Sequence, residues 1–228
     1  MNLPFTETQF LDLFGAYNSM FAPVEIVLWL LTLLAVVQLM RDRAAGPAIA
    51  LLAAFHWAWS GVAYHALYFT SINPAAWLFA AFFVAQAIGF LWAGRNRATL
   101  SFDWRASPRH VLSAVFLVYA LIYPALGPLT GHPFPRAPIF AVPCPTVLFT
   151  AGVLLAAAPP VPRWLFAVPI AWSLVAGSAA LTLGITPDLM LFAAAAALLA
   201  YAAAPQAFDD TRITATSGIP PGRPSARR

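Results

Sequence analysis

The chain has 228 residues, of which 61% are hydrophobic and only 9% charged, with a formal net charge of +4. A soluble domain carries nearer a quarter charged residues, so this balance argues against packing in water. The positive charge comes from twelve Arg and no Lys, scattered between apolar runs, which excludes a nucleic-acid surface. A single cysteine, Cys144, excludes an internal disulfide and a four-Cys zinc site.

Residues 1–22 carry Glu7 and Asp12 but no basic residue, unlike the positive leading region of a signal peptide. Within them, Thr6-Glu-Thr-Gln9 has the form of a capping box. Phe10, Leu13, Phe14 and Tyr17 follow at helical spacing. The pattern predicts a short amphipathic helix lying on the outer membrane surface. Seven apolar runs come next, opened by Pro23, Pro47, Pro74, Pro108, Pro145, Pro162 and Pro187. Proline is tolerated at the first helical position, whose N–H has no intrahelical partner, so each reads as a helix start. Most runs are about 18–23 residues, enough to cross a bilayer core of about 30 Å. The fifth is the exception: Pro145 to Ala158 is about 21 Å of helix. A full crossing then needs extended backbone from Ile139 to Cys144. Such backbone requires protein or water beside it, which makes this entry a cavity wall.

Arginines in alternate segments sum to eleven against one, the single outlier being Arg136. The positive-inside bias therefore puts the N-terminus outside and the C-terminus in the cytoplasm. The expected organisation is an outer-surface helix over 1–22, a seven-span all-α bundle over 23–204, and a disordered cytoplasmic tail over 205–228 rich in Pro, Gly, Ser and Thr. Ala58–Ala81 aligns without gaps on Ala171–Ala194, with twelve of 24 positions identical, including Trp59/Trp172, Ser60/Ser173 and Pro74/Pro187. This pairs span 2 with 6 and span 3 with 7. The bundle reads as a parallel 3+1+3 repeat: copies at about 23–94 and 139–204, and a linker span at about 108–127. A parallel repeat suits a transporter with a site between its halves.

The three-one-three arrangement resembles that of SWEET sugar transporters and their relatives with proline-glutamine loops, although no Pro-Gln dipeptide opens span 1 or 5. Span count and orientation also resemble rhodopsins, but retinal attachment needs a lysine and the chain has none. Closer is the resemblance carried by Ile72-Asn-Pro-Ala-Ala-Trp-Leu-Phe79, Val142-Pro-Cys-Pro-Thr146 and Ala157-Ala-Pro-Pro-Val-Pro-Arg-Trp164. These are similar to motifs of a bacterial polytopic family catalogued as a domain of unknown function, whose members are sometimes labelled permeases. That resemblance implies the inner membrane of a bacterium; it brings no established mechanism and so carries over no catalytic role.

Two groups of side chains are candidates for chemistry. Near mid-membrane, His56, Trp59, Ser60, Tyr64, Gln86 and Ser173 are substrate-binding candidates; polar groups there are costly and default to function. Neutral packing roles account for the same residues equally well. At the outer ends of the spans, Glu25, His65, Asn73, His132, Cys144, Thr146 and Asp188 form a mouth cluster. With Pro145 at the first helical position, Cys144 reads as an N-cap. Cys144 with His65 and His132 is a candidate set for a soft metal such as Cu(I) or Hg(II), for contact with another solute, or simply a small residue filling a helix start. No hydrolase, metalloprotease or phosphate-loop motif occurs, so an enzyme is disfavoured and would have to work through Glu25, His65, His132, Cys144 or Asp188; any cofactor is left open.

These features lead to a small-solute permease, with an outward-facing metal- or ligand-binding protein centred on Cys144, or an accessory membrane subunit, as alternatives. The bilayer is the one firm partner. Tags on the two termini should be reachable from opposite faces of the membrane; reachability from one compartment alone overturns the seven-span reading.

Overall fold

A computed structural model describes residues 3–42, 45–95, 99–105, 107–205 and 208. The tail expected to be disordered lies, apart from Pro205 and Phe208, outside the described residues. The described chain is built of seven helices: α1 Glu7–Met40, α2 Gly46–Trp59, α3 Ala76–Arg95, α4 Pro108–Leu129, α5 Pro143–Ala156, α6 Ala167–Leu183 and α7 Met190–Ala203. With the turns that extend α2, α6 and α7, six are long and apolar enough to cross a membrane, and α5 is not.

α1 starts at the expected capping box. The Gln9 amide donates to Thr6 Oγ1 at 3.2 Å, and the Thr6 amide donates to Gln9 Oε1 at 2.9 Å. It then differs from the sequence expectation, because it runs 34 residues straight through Pro23 instead of restarting there. Proline removes one hydrogen bond, to the carbonyl four residues back. Aromatic packing along the turns before Pro23 offsets that loss. Phe14 stacks on Tyr64 at 5.4 Å, Tyr17 meets Tyr64 edge-on at 5.6 Å, and Phe21 meets Trp59 at 5.2 Å. Leu11, Asn18, Glu25, Thr32 and Leu39 recur at every seventh position and are all buried, so one stripe of α1 faces the bundle along its length.

The other prolines sort by position. Pro47 and Pro108 lie in the first turns of α2 and α4, as expected. Pro74 sits in a turn just ahead of α3, and Pro162 and Pro187 belong to the 3-10 turns that lead into α6 and α7. α5 opens at Pro143 with Val142 as its N-cap, so Cys144 is the second helical residue and not the cap. Beyond Trp59, α2 widens into a π-helical stretch, Ser60–Ala66, followed by a 3-10 turn, Phe69–Ser71. Gly61 allows this segment to approach α3 closely, since a Cβ there would lie 3.0 Å from Phe83 Cβ and 3.2 Å from the Ala80 carbonyl. The matching part of α6 stays α-helical to Leu183 and ends on Gly184 in the left-handed conformation, φ +68°. The two aligned segments therefore differ in local path.

α2 packs on α3, α6 on α7, and α5 lies against α2, α4, α6 and α7. All fourteen residues of α5 are buried. Large exposed apolar side chains instead stud the six long helices, for example Leu30, Leu51, Ile88, Val111, Leu181 and Leu199. The short helix is thus the core of the bundle and the long ones are its coat. Gly152 permits close contact between α5 and α4, because a Cβ there would meet Leu117 Cγ at 2.5 Å.

A helix of about 21 Å buried in protein cannot send its end groups to water, so they must be met internally. At its C-terminal end, Arg109 Nη1 donates to the carbonyls of Leu155 (3.3 Å) and Ala157 (2.5 Å), and Tyr201 Oη donates to Ala157 O at 3.2 Å. The Ala158 amide donates to Ser101 O at 2.8 Å beside an isolated Phe102–Ala157 bridge. At its N-terminal end the chain from Ile139 to Ala141 is irregular, with Ala141 at φ +55°, and Val142 is extended. Tyr17 Oη donates to Ala141 O at 2.9 Å, and Asn18 Nδ2 donates to the carbonyls of Pro135 (2.7 Å) and Ala137 (2.8 Å). Replacing Arg109 with Met strands the Leu155 carbonyl and leaves Ala157 O with Tyr201 as its side-chain donor. We expect the protein to lose about 2–4 kcal/mol of stability, read as a lower unfolding midpoint in detergent.

Candidate functional site

The mid-span candidates bind the helices to one another. His56 is fully buried, with Nε2 2.9 Å from Thr32 Oγ1 and its ring against Phe140 and Phe149. Because the Thr32 hydroxyl donates to Leu28 O at 2.8 Å, it accepts from His56, which places the ring proton on Nε2. Trp59 Nε1 donates to Tyr17 Oη at 2.7 Å. Ser60 Oγ lies 3.2 Å from Thr146 Oγ1, and beside that pair Trp57 Nε1 donates to Thr150 Oγ1 at 2.8 Å. Gln86 Nε2 donates to Leu165 O at 2.9 Å, tying α3 to the turn before α6. Ser173 is buried, and its Oγ has no hydrogen-bond partner.

The mouth cluster divides. Glu25 faces a separate groove of about 390 Å³ between α1 and α4, and neither of its buried carboxyl oxygens has a hydrogen-bond partner. His132 lies at the surface, 3.8 Å from Glu7, and Arg136 pairs with Asp12 at 2.7 Å. His65 is enclosed by rings, with Phe83 at 4.6 Å and Trp172 at 4.8 Å. Thr146 is spent on Ser60. The remaining three, Asn73, Cys144 and Asp188, line one cavity together with Tyr64 from the other candidate group. The metal candidates Cys144, His65 and His132 are therefore not brought together. Among the described residues no three His, Cys, Asp or Glu side chains gather at ligand spacing.

The shared cavity is about 350 Å³. One wall is the π-helical end of α2 and the start of α3: Tyr64, Phe69, Asn73 and Phe79. The opposite wall is α6 with the start of α7: Trp172, Ala176, Ala180 and Asp188. Val142, Pro143 and Cys144 at the head of α5 close a third side, and Phe5, Phe10 and Phe14 cover it. The irregular entry to α5 is thus a cavity wall, the role anticipated for it. These walls come from α1, α3, α5 and α7 at their N-terminal ends and from the C-terminal ends of α2 and α6, which all meet at one end of the bundle.

Polar groups in the cavity are few and directed. Tyr123, buried on α4, donates its hydroxyl to Asp188 Oδ1. Asp188 also faces the Cys144 thiol. Asn73 Oδ1 accepts from the Ala75 amide at 3.1 Å. Trp172 is 9% exposed, and its indole N–H has no oxygen or nitrogen partner and faces the Cys144 sulfur. An apolar enclosure with a handful of converging polar groups is the usual form of a small-molecule site. Tyr123 carried no signal in the sequence, since it differs from its neighbours only in what it meets across the bundle. Trp172 was visible as the counterpart of Trp59, yet the two now do different things: one bonded, one open to the cavity.

The fold and cavity define a class: a helical bundle with six helices able to cross a membrane and an enclosed, solute-sized space at one end. Residues 7–212 match the family of unknown function DUF6064, and the chain belongs to that family. Neither the curated proteins nor the solved structures contain a match to it.

The Tyr123–Asp188 bond is buried on both sides. Tyr123→Phe should lower stability by about 1–3 kcal/mol, measured by denaturant or thermal unfolding in detergent, with helix content unchanged.

Proposed function

We propose that this protein is a multi-pass integral membrane protein that holds a small, mainly apolar solute in the cavity at the head of α5 and passes it across the bilayer. The cavity itself carries the reading. It lies between Ala58–Ala81 and Ala171–Ala194, the two segments that align on each other, which is where a permease with related halves binds its cargo. A site toward one mouth rather than at mid-depth is supported by α5 filling the centre and by His56 and Ser60 there being hydrogen-bonded to neighbouring helices. Arginine distribution supports an outward-facing mouth, a cytoplasmic C-terminus and residence in a bacterial inner membrane. The bilayer is then the partner of the exposed Leu, Ile, Val and Phe side chains.

A second reading, binding or sensing without transport, is favoured by the same burial of α5, which leaves the cavity at one end only. Cys144, the one thiol of the chain, separates the two. In vesicles of known orientation, a membrane-impermeant thiosulfonate added on the α1 N-terminal side should modify Cys144. Ala180→Trp, which fills the cavity, should slow modification at least tenfold while unfolding stays cooperative. Modification from the other face as well marks a permease; modification from the first face alone marks a binding protein. A folded chain whose Cys144 resists the reagent from both faces excludes both.

A further inference from the structure

We propose that the cavity selects small organic cations, such as a protonated amine carrying a ring or short alkyl group, over neutral and anionic molecules of the same shape. The inference rests on the cavity being a solute site and adds the charge class of the solute.

Three observations on the lining carry it. The first is charge. Among the described residues, Asp188 is the one acidic side chain in the lining, and no Arg, Lys or His lines the cavity. Of the basic groups at this end of the bundle, Arg136 faces Asp12 and His132 faces Glu7, while His65 lies behind the ring wall, packed on Phe79 and Trp172. Tyr123 engages Asp188 Oδ1, and the remaining acceptor capacity of the carboxyl is shared between the Cys144 thiol and whatever fills the space. A buried carboxyl without a counter-ion is costly unless a ligand supplies the partner.

The second observation is the wall itself. Phe10, Phe14, Tyr64, Phe69, Phe79 and Trp172 surround the space, so ring faces are the dominant surface. An ammonium beside a carboxyl and over aromatic faces is the usual geometry for binding an organic cation.

The third concerns the helix ends. α3, α5 and the turn into α7 all present their N-termini here, and a helix N-terminus ordinarily attracts anions through free backbone N–H groups. Each of these ends has lost most of such donors, the Cys144 amide at the head of α5 being the exception. Pro74, Pro143, Pro145 and Pro187 have no N–H to offer. Of the neighbouring amides, Ala75 donates to Asn73 Oδ1, Thr146 to Val142 O at 3.3 Å, and Asp188 to Ile185 O at 3.0 Å. The prolines that open these helices therefore also remove the anion-binding groups from the mouth. An anion entering the cavity would meet the Asp188 carboxyl with little more than the Trp172 indole, the Cys144 backbone amide and the Asn73 side-chain amide to hold it. A purely apolar solute would leave the Asp188 carboxyl without a counter-ion.

The test is calorimetric titration of the full chain in detergent with 2-phenylethylamine, 2-phenylethanol and phenylacetate. The amine should bind at least tenfold more tightly than the alcohol, and the acid more weakly than either. Asp188→Asn should reduce amine affinity to that of the alcohol and leave the alcohol unchanged. Should that variant fail to fold, Trp172→Leu provides the second check, weakening the amine at least threefold more than the alcohol. Equal affinity for amine and alcohol in the wild type, or an Asp188→Asn protein that still prefers the amine, overturns the cation assignment while keeping the solute site. If none of the three binds and none protects Cys144 from N-ethylmaleimide, the solute site falls, and the cation assignment with it.

Discussion

The backbone ends of α5 set the terms for the rest of the molecule. A helix of fourteen buried residues has its unpaired N–H and C=O groups inside the protein, where neither water nor headgroups reach them. The fold answers differently at the two ends. At the C-terminal end it brings in strong donors: the Arg109 guanidinium, the Tyr201 hydroxyl, and the 99–105 segment, which lends Ser101 O and pairs Phe102 with Ala157. A cation there also complements the negative end of the helix dipole. At the N-terminal end, two of the first three residues are proline, so few donors need satisfying, and open space is tolerated.

The location of the cavity follows from that asymmetry. A void is cheap where its walls are apolar and where few backbone groups lose a partner by facing it. The head of α5 meets both conditions. The foot does not, since a void there would strand the Leu155 and Ala157 carbonyls. Closure of the mouth falls to α1, whose first turns reach past the ends of the other helices and cover the space with Phe10 and Phe14. This also explains why α1 tolerates Pro23. Its aromatic side chains must remain in line with the α2 end, and a break at Pro23 would separate the cover from the wall.

Polar side chains deeper in the bundle have a different task. Thr32–His56, Ser60–Thr146 and Trp57–Thr150 join α1 to α2 and α2 to α5. Hydrogen bonds between helices in an apolar surround contribute modestly each, about 0.6 kcal/mol on average. Their greater effect is on register, because a polar group that slides out of place loses its only partner. Glu25 stands outside this scheme. It lies on the α1 stripe between Asn18 and Thr32, both of which are bonded, while its own oxygens have no hydrogen-bond partner.

Much of the architecture was legible in the residues. The Thr6–Gln9 capping box, Pro47 and Pro108 each mark a helix start through local geometry alone, and local geometry is what a sequence encodes directly. The shortness of the fifth apolar run was also visible, and with it the need for protein-lined backbone at its entry. What no local rule supplies is which residues come to face one another. Asn73, Cys144, Asp188 and Tyr64 share a cavity, while Glu25 and His132, at the same end of the bundle, point elsewhere. Pro23 is helical because aromatic rings more than thirty residues away hold it so. Composition and periodicity determine that there are apolar helices and where most begin. Helix rotation, the burial of α5 and the meeting of Tyr123 with Asp188 are decided only in three dimensions, since each depends on packing between segments distant in the chain.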